Sequence, residues 1–199
     1  MADGARALGS LPNLLGVGRI LATPVIVLLV LRPFGGAGAV AFVLFAAASF
    51  SDIVDGRLAR ARGTVTRLGV FMDLTADKVL AAGVMIAMVE VDLLPTWIVA
   101  ILIVREFVVQ GARAVAAGSG MVMSAGGLGK GKAFATYAGM GLLLLAYDAA
   151  TGGPLAALGE RAAWLATAGW WVMVAAATLS VVSAVIYLRA ALATILEED

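Results

Sequence analysis

The chain has no cysteine and no histidine among its 199 residues. The first absence excludes disulfides and thiolate chemistry. The second removes the commonest general base and the commonest zinc ligand. Acid–base work must therefore fall to Asp, Glu, Lys or Tyr. Charge is scarce as well, 14% of residues against 62% hydrophobic. A soluble domain of this size could not bury that much apolar surface, so the expected class is an all-α polytopic membrane protein. The net charge of +1 singles out no partner, and no nucleic-acid partner is expected.

The length leaves room for about six spans of ~20 residues with short loops. Apolar runs predict helices at 12–32, 38–61, 67–91, 94–117, 131–150 and 164–193, separated by Gly/Pro-rich breaks such as Pro33-Phe34-Gly35-Gly36 and Gly152-Gly153-Pro154. Pro24 lies inside the first span, where a kink is tolerated. No repeat of fixed period is visible, and residues 1–199 read as one domain. Residues 1–10 carry one Arg and no long basic region, so the first span is expected to be retained rather than cleaved.

Charge asymmetry predicts orientation. With the N-terminus inside, the cytoplasmic side receives Arg6, Arg57, Arg60, Arg62, Arg67, Arg113, Lys130, Lys132 and Arg189. The other side receives mainly Arg32 and Arg161, with Glu90, Asp92, Asp148 and Glu160 nearby. This positive-inside bias predicts both termini in the cytoplasm.

Against this apolar background stand four aspartates at fixed spacing: Asp52 and Asp55 on the second span, Asp73 and Asp77 on the third. Intramembrane carboxylates are expensive and functional by default. Asp52 lies ten residues from Arg62, or ~15 Å along a helix, which sets the acids below the cytoplasmic interface in a water-filled cavity. At 100° per residue, Asp52, Asp55, Gly56 and Ala59 share one stripe, and Gly69, Asp73 and Asp77 another. Four converging carboxylates would repel unless a cation joined them. One or two Mg²⁺ or Mn²⁺ ions would make a hard oxygen site. Small residues at 56, 59 and 69 leave the backbone open to a bulky ligand, and Arg60 adds positive charge. The set suggests a diphosphate substrate bridged by metal. Simple ion pairing of these acids with Arg57, Arg60, Arg67 and Lys78 is the competing explanation, and it fits one isolated aspartate better than four.

The pattern Asp52-x2-Asp55-Gly56-x2-Ala59-Arg60-x8-Gly69-x3-Asp73-x3-Asp77 resembles the signature of the CDP-alcohol phosphotransferases at eight fixed positions. The resemblance implies a six-helix membrane homodimer that displaces CMP from a CDP-alcohol by attack of an acceptor hydroxyl. It implies two metal ions per site, held by Asp52, Asp55, Asp73 and Asp77. Asp52, Asp55 and Asp73 would also hold the CDP diphosphate, and Gly56, Ala59, Arg60 and Gly69 would line the nucleotide pocket. Asp77 would act as general base.

Further stretches are similar to the bacterial phosphatidylglycerophosphate branch: Leu11-Pro12-Asn13-Leu14-Leu15 with Arg19 and Pro24, Asp77-Lys78-Val79-Leu80, Val104-Arg105-Glu106-Phe107 with Arg113, and Gly129-Lys130-Gly131-Lys132. Leu74-Thr75 and Ala133 depart from that branch's pattern. The branch implies CDP-diacylglycerol and sn-glycerol 3-phosphate as substrates, in a bacterial cytoplasmic membrane. The residues themselves support a phosphate-bearing acceptor. Arg105 and Arg113, eight apart on one helical face, together with Lys130, Lys132 and Arg19, could bind its phosphate. Lys130 and Lys132 could instead be an ordinary lipid-binding flank, and Arg19 could snorkel. Glu106 is expected to pair with a neighbouring cation.

Other readings remain open on sequence. The same chemistry could serve inositol phosphate or phosphatidylglycerol. A divalent-cation transporter could use the acids as an ion site, although its site would usually lie at the midplane between inverted repeats. A non-catalytic lipid-binding relative would not need all four aspartates.

Overall fold

The computed structural model describes residues 11–62, 67–118 and 127–197; within them, side chains are described except at 11–13, 52–62, 67–70, 73, 127, 128, 130 and 190–197. Six long helices follow one another: α1 Leu11–Leu31, α2 Ala37–Arg62, α3 Arg67–Glu90, α4 Thr96–Gly118, α5 Gly127–Ala150 and α6 Ala163–Glu197. A 3₁₀ segment, Pro154–Ala162, joins α5 to α6, in a stretch where the sequence predicts only a break. Among the described residues the expected all-helical architecture is observed, with helix ends within a few residues of expectation.

Among the described residues, three stretches are long and apolar enough to cross a membrane by length and composition: Leu14–Leu31, Gly131–Ala150 and Pro154–Arg189, with a shorter apolar run at Ala37–Ser51. The second half of α2 and helices α3 and α4 carry charged residues of the candidate site, as functional residues within a membrane would be. The outer surface is apolar: Phe107, Phe134, Trp97, Trp164 and Trp171 are all exposed, as lipid-facing or interfacial aromatics would be.

The helices close into a ring in the order α1, α2, α5, α6, α4, α3, and α3 returns to α1. Contacts fix the directions. Gly16 and Thr23 of α1 lie beside Met72 and Gly83 of α3, so these two helices run parallel. Arg105 and Arg113 of α4 reach Ser183 and Tyr187 of α6, which also run parallel. Gly139 meets Met173, and Leu143 meets Gly169, so α5 and α6 are antiparallel. This is the alternation expected of successive crossings. It gathers the starts of α1, α3 and α5 and the ends of α2, α4 and α6 at one end of the bundle.

Lipid tails are as apolar as leucine, so close packing and polar contacts, rather than the hydrophobic effect, hold such helices together. A Cβ on Gly83 would approach the Thr23 methyl to 2.8 Å, and one on Gly139 would approach Met173 equally closely. An added Cβ would press on the branched Thr23 side chain at 83, and at 139 would displace the Met173 side chain. Pro24 sits inside an unbroken α1, where its ring removes a helix donor; the adjacent Thr23 hydroxyl donates to the Arg19 carbonyl at 2.9 Å. The core between the helices is built from Ile26, Phe45, Leu80, Val84, Met88, Ile98, Met140, Leu144 and Met173 among others.

The turn from α3 to α4 is a Schellman arrangement. Asp92 adopts a left-handed conformation (φ 58°), Leu93 N–H reaches the Met88 carbonyl at 2.8 Å, and Asp92 N–H reaches that of Val89 at 3.1 Å. At the same end of the bundle, the fully buried Asp148 accepts from Ala39 N–H and Leu155 N–H, each at 2.9 Å. One carboxylate thereby satisfies unpaired donors at the starts of both α2 and the 3₁₀ segment.

Candidate active site

The end of the bundle opposite Asp148 collects most of the polar side chains inside the ring. Asp77 and Lys78 stand near the middle of α3, Arg105 and Glu106 near the middle of α4 with Arg113 in its second half, Lys132 and Tyr137 on the first half of α5, and Ser180, Ser183 and Tyr187 from the middle of α6 onward. By the same alternation, the backbone carrying Asp52, Asp55, Gly56, Ala59 and Arg60 ends α2 here, and that of Gly69 and Asp73 begins α3. The side-chain surroundings of these seven positions lie outside the described residues, as do those of Lys130. Asp77 is the one signature residue whose contacts are described. Its carboxylate Oδ1 accepts a hydrogen bond from the Tyr137 hydroxyl, which also lies 3.3 Å from the Asp77 main-chain carbonyl.

Glu106 is the hub of the cationic part. Its Oε2 accepts from Lys132 Nζ at 2.7 Å and from Arg105 Nη1 at 3.2 Å, and its Oε1 lies 3.4 Å from Lys78 Nζ. Glu106 thus pairs with cations, as its sequence context suggests, and it takes three of them from three helices. Three cations around one carboxylate leave an excess of positive charge within this cluster, and Arg105 and Lys132 are mostly shielded from water, where charge–charge interactions are stronger than in water. Such a site favours an anion.

Arg105 is 9% exposed. Its Nη2 donates to Ser183 Oγ at 2.8 Å, and Ser183 in turn donates to the Ser180 carbonyl at 3.0 Å. Arg113 Nη2 donates to the Tyr187 hydroxyl at 3.2 Å, and its guanidinium stands 5.1 Å from the centre of that ring. Both arginines therefore do face one side, the α6 side. The Nε atoms of both, and Ser180 Oγ, are buried without a hydrogen-bond partner among the described residues. Buried polar groups are nearly always satisfied, so donors left over beside excess positive charge suit an anionic ligand with several acceptor oxygens.

The structure thus brings together Arg105 and Lys132 around Glu106, with Lys78, the chain neighbour of Asp77, as the third cation and Arg113 farther along the α4–α6 seam. Lys132 points into the protein, its side chain only 12% exposed, instead of forming a lipid-facing flank. Arg19 is 3% exposed and so is buried within the bundle rather than snorkelling. Sequence reasoning missed Tyr137, Ser183 and Tyr187 as site residues, and assigned Lys78 only as a pairing partner for the aspartates. Tyr137 is the nearest to having carried a signal, lying five residues beyond the basic motif at 130–132.

Residues 9–182 match the family model for CDP-alcohol phosphatidyltransferase. The chain is 38% identical over 151 residues to the CDP-diacylglycerol–glycerol-3-phosphate 3-phosphatidyltransferase of Bacillus subtilis strain 168, covering 68% of this chain and 77% of that protein. It is 32% identical over 194 residues to a probable phosphatidylglycerophosphate synthase of Mycobacterium tuberculosis H37Rv, covering 95% and 85%. A cardiolipin synthase (CMP-forming) of Streptomyces coelicolor is 32% identical over 100 residues, covering 49% and 46%. An all-helical bundle with the eight-position signature, an inward-facing acid and cationic cluster, and a match over most of its length together place this chain in the CDP-alcohol phosphatidyltransferase family.

Proposed function

We propose that the chain transfers the phosphatidyl group of CDP-diacylglycerol to the C1 hydroxyl of sn-glycerol 3-phosphate, giving phosphatidylglycerophosphate and CMP. The observation that carries the acceptor assignment is the three-cation cluster around Glu106, on the helices that also present Asp77 and its Tyr137 contact. A phosphate monoester suits such a cluster, because guanidinium offers paired donors and ammonium a point charge. The relatives from Bacillus subtilis and Mycobacterium tuberculosis carry names that fit this acceptor.

In this reading Asp77 takes the proton of the acceptor hydroxyl. The acceptor oxygen bonds to the β-phosphorus, which carries the diacylglycerol. The bond from that phosphorus to the bridging oxygen breaks, and CMP leaves with the electron pair. Such transfers ask the protein chiefly for positioning and charge neutralisation. The donor set of Asp52, Asp55, Asp73 and Asp77, all carboxylate and without histidine or cysteine, fits Mg²⁺ or Mn²⁺ rather than a softer metal. When bound, such ions would neutralise the diphosphate and the departing CMP. Gly56, Ala59, Arg60 and Gly69 would line the nucleotide pocket, with the site facing the cytoplasm and the chain working as a homodimer.

A second reading keeps the chemistry and changes the acceptor. It is favoured by the cardiolipin synthase match, but phosphatidylglycerol lacks the phosphate monoester that the cation cluster suits. The deciding experiment is CMP release by the purified protein with CDP-diacylglycerol and Mg²⁺, offering glycerol 3-phosphate, inositol phosphate and phosphatidylglycerol in parallel. Turnover selective for glycerol 3-phosphate and abolished by a chelator is expected. Turnover with another acceptor alone would overturn the acceptor assignment. Undiminished turnover in chelator would overturn the metal assignment.

A further inference from the structure

Tyr137 joins two observations that the family signature does not contain. Its hydroxyl donates to Oδ1 of Asp77 across the ring interior, from α5 to α3. Its ring lies against Phe45 of α2, with centroids 5.5 Å apart and planes 19° apart. The phenol is therefore held by a stack on one helix while its hydroxyl engages a carboxylate on another. A phenol has one proton to donate, and here the Asp77 carboxylate and main-chain oxygens both lie on its donor side. The hydrogen bond to Oδ1 restrains the aspartate side chain.

We infer that Tyr137 is a positioning residue for Asp77: its hydrogen bond to Oδ1 sets the orientation of the carboxylate that takes the acceptor proton. The inference rests on the reading of Asp77 as the group that takes the acceptor proton. A carboxylate free to rotate offers either oxygen in many directions, and only a narrow range is productive. Misplacement of a reacting group by an ångström can reduce rate by about a hundredfold. A tyrosine is suited to the task in a chain without histidine, being a neutral donor long enough to span from one helix to another. The Phe45 stack confines the ring that carries it.

The variant Tyr137→Phe removes the hydroxyl and keeps the ring and its stack. It should lower kcat by roughly tenfold to a hundredfold. The KM values for both substrates, and equilibrium binding of CDP-diacylglycerol, should stay within about twofold, because only the reacting step is affected. Its unfolding temperature in detergent should match that of the parent. An unchanged kcat overturns the inference. So does a fall in kcat that comes with weaker CDP-diacylglycerol binding and a lowered unfolding temperature, since Tyr137 would then be a packing residue between α2, α3 and α5. Asp77→Asn, run alongside, separates this from the underlying reading: it should abolish transfer while leaving much of the CDP-lipid binding. Turnover retained in Asp77→Asn overturns the role of Asp77 itself, whatever Tyr137→Phe does.

Discussion

The Arg105 guanidinium donates to the Ser183 hydroxyl at 2.8 Å, although the two residues are 78 positions apart in the chain. The bond ties α4 to α6 and aims a buried cation, and Ser183 is itself fixed through the Ser180 carbonyl. Arg105→Ala should raise KM for glycerol 3-phosphate by roughly tenfold to a hundredfold, the range expected when charge-assisted hydrogen bonds of about 1.5–3 kcal/mol are lost. Ser183→Ala leaves the cation in place and should have a smaller effect in the same direction. Initial rates with each substrate varied in turn would check both. An effect on CDP-diacylglycerol as large as that on glycerol 3-phosphate would remove Arg105 from the acceptor site.

Glu106 presents a sharper choice. Glu106→Gln increases the local positive charge but releases Lys132 and Lys78 from their common anchor. If the carboxylate serves to hold the cations in place, KM for glycerol 3-phosphate should rise despite the extra charge. A lower KM would mean instead that Glu106 competes with the substrate phosphate for the same cations.

Arg113 touches Tyr187 through both its donor and the ring face. Arg113→Ala should raise KM for glycerol 3-phosphate more than for CDP-diacylglycerol. Tyr187→Phe, which retains the ring, should be milder than Tyr187→Leu, with the cation–π contact contributing about 0.5–2 kcal/mol. Equal sensitivity of both substrates to Arg113→Ala would exclude an acceptor role.

At the far end of the bundle, Asp148→Asn should affect stability alone. The amide can accept at only one of the two positions where the carboxylate now meets Ala39 and Leu155 N–H. Stranding a buried donor costs about 1–3 kcal/mol. Thermal unfolding in detergent should register the loss, while KM for both substrates stays at the parent value.

The helices themselves were legible because hydropathy and Gly/Pro punctuation act locally: α2 was expected at 38–61 and found at Ala37–Arg62, and α3 at 67–91 and found at Arg67–Glu90. The 3₁₀ segment was missed, since its start is secured by Asp148, a residue on another helix. The same limit applies to the site. Lys132 and Arg105 were recognisable as cations near a motif, but their common partner depends on α3, α4 and α5 meeting around Glu106. Ser183 and Tyr187 are ordinary residues in an apolar helix, and only the parallel contact of α6 with α4 gives them a role. Tyr137 gains its meaning from the ring order, which sets α5 beside α2 and directs the phenol toward α3.

That ring order has a consequence for how the protein is made. Helix α6, which follows the other five from the ribosome, packs between α5 and α4 and supplies the hydroxyls that orient Arg105 and Arg113. A nascent chain inserted only as far as α5 would carry every signature aspartate, yet its arginines would lack their α6 contacts. The orientation of these two cations is thus completed only once α6 has joined the earlier helices, well after the aspartates of α2 and α3 are in place.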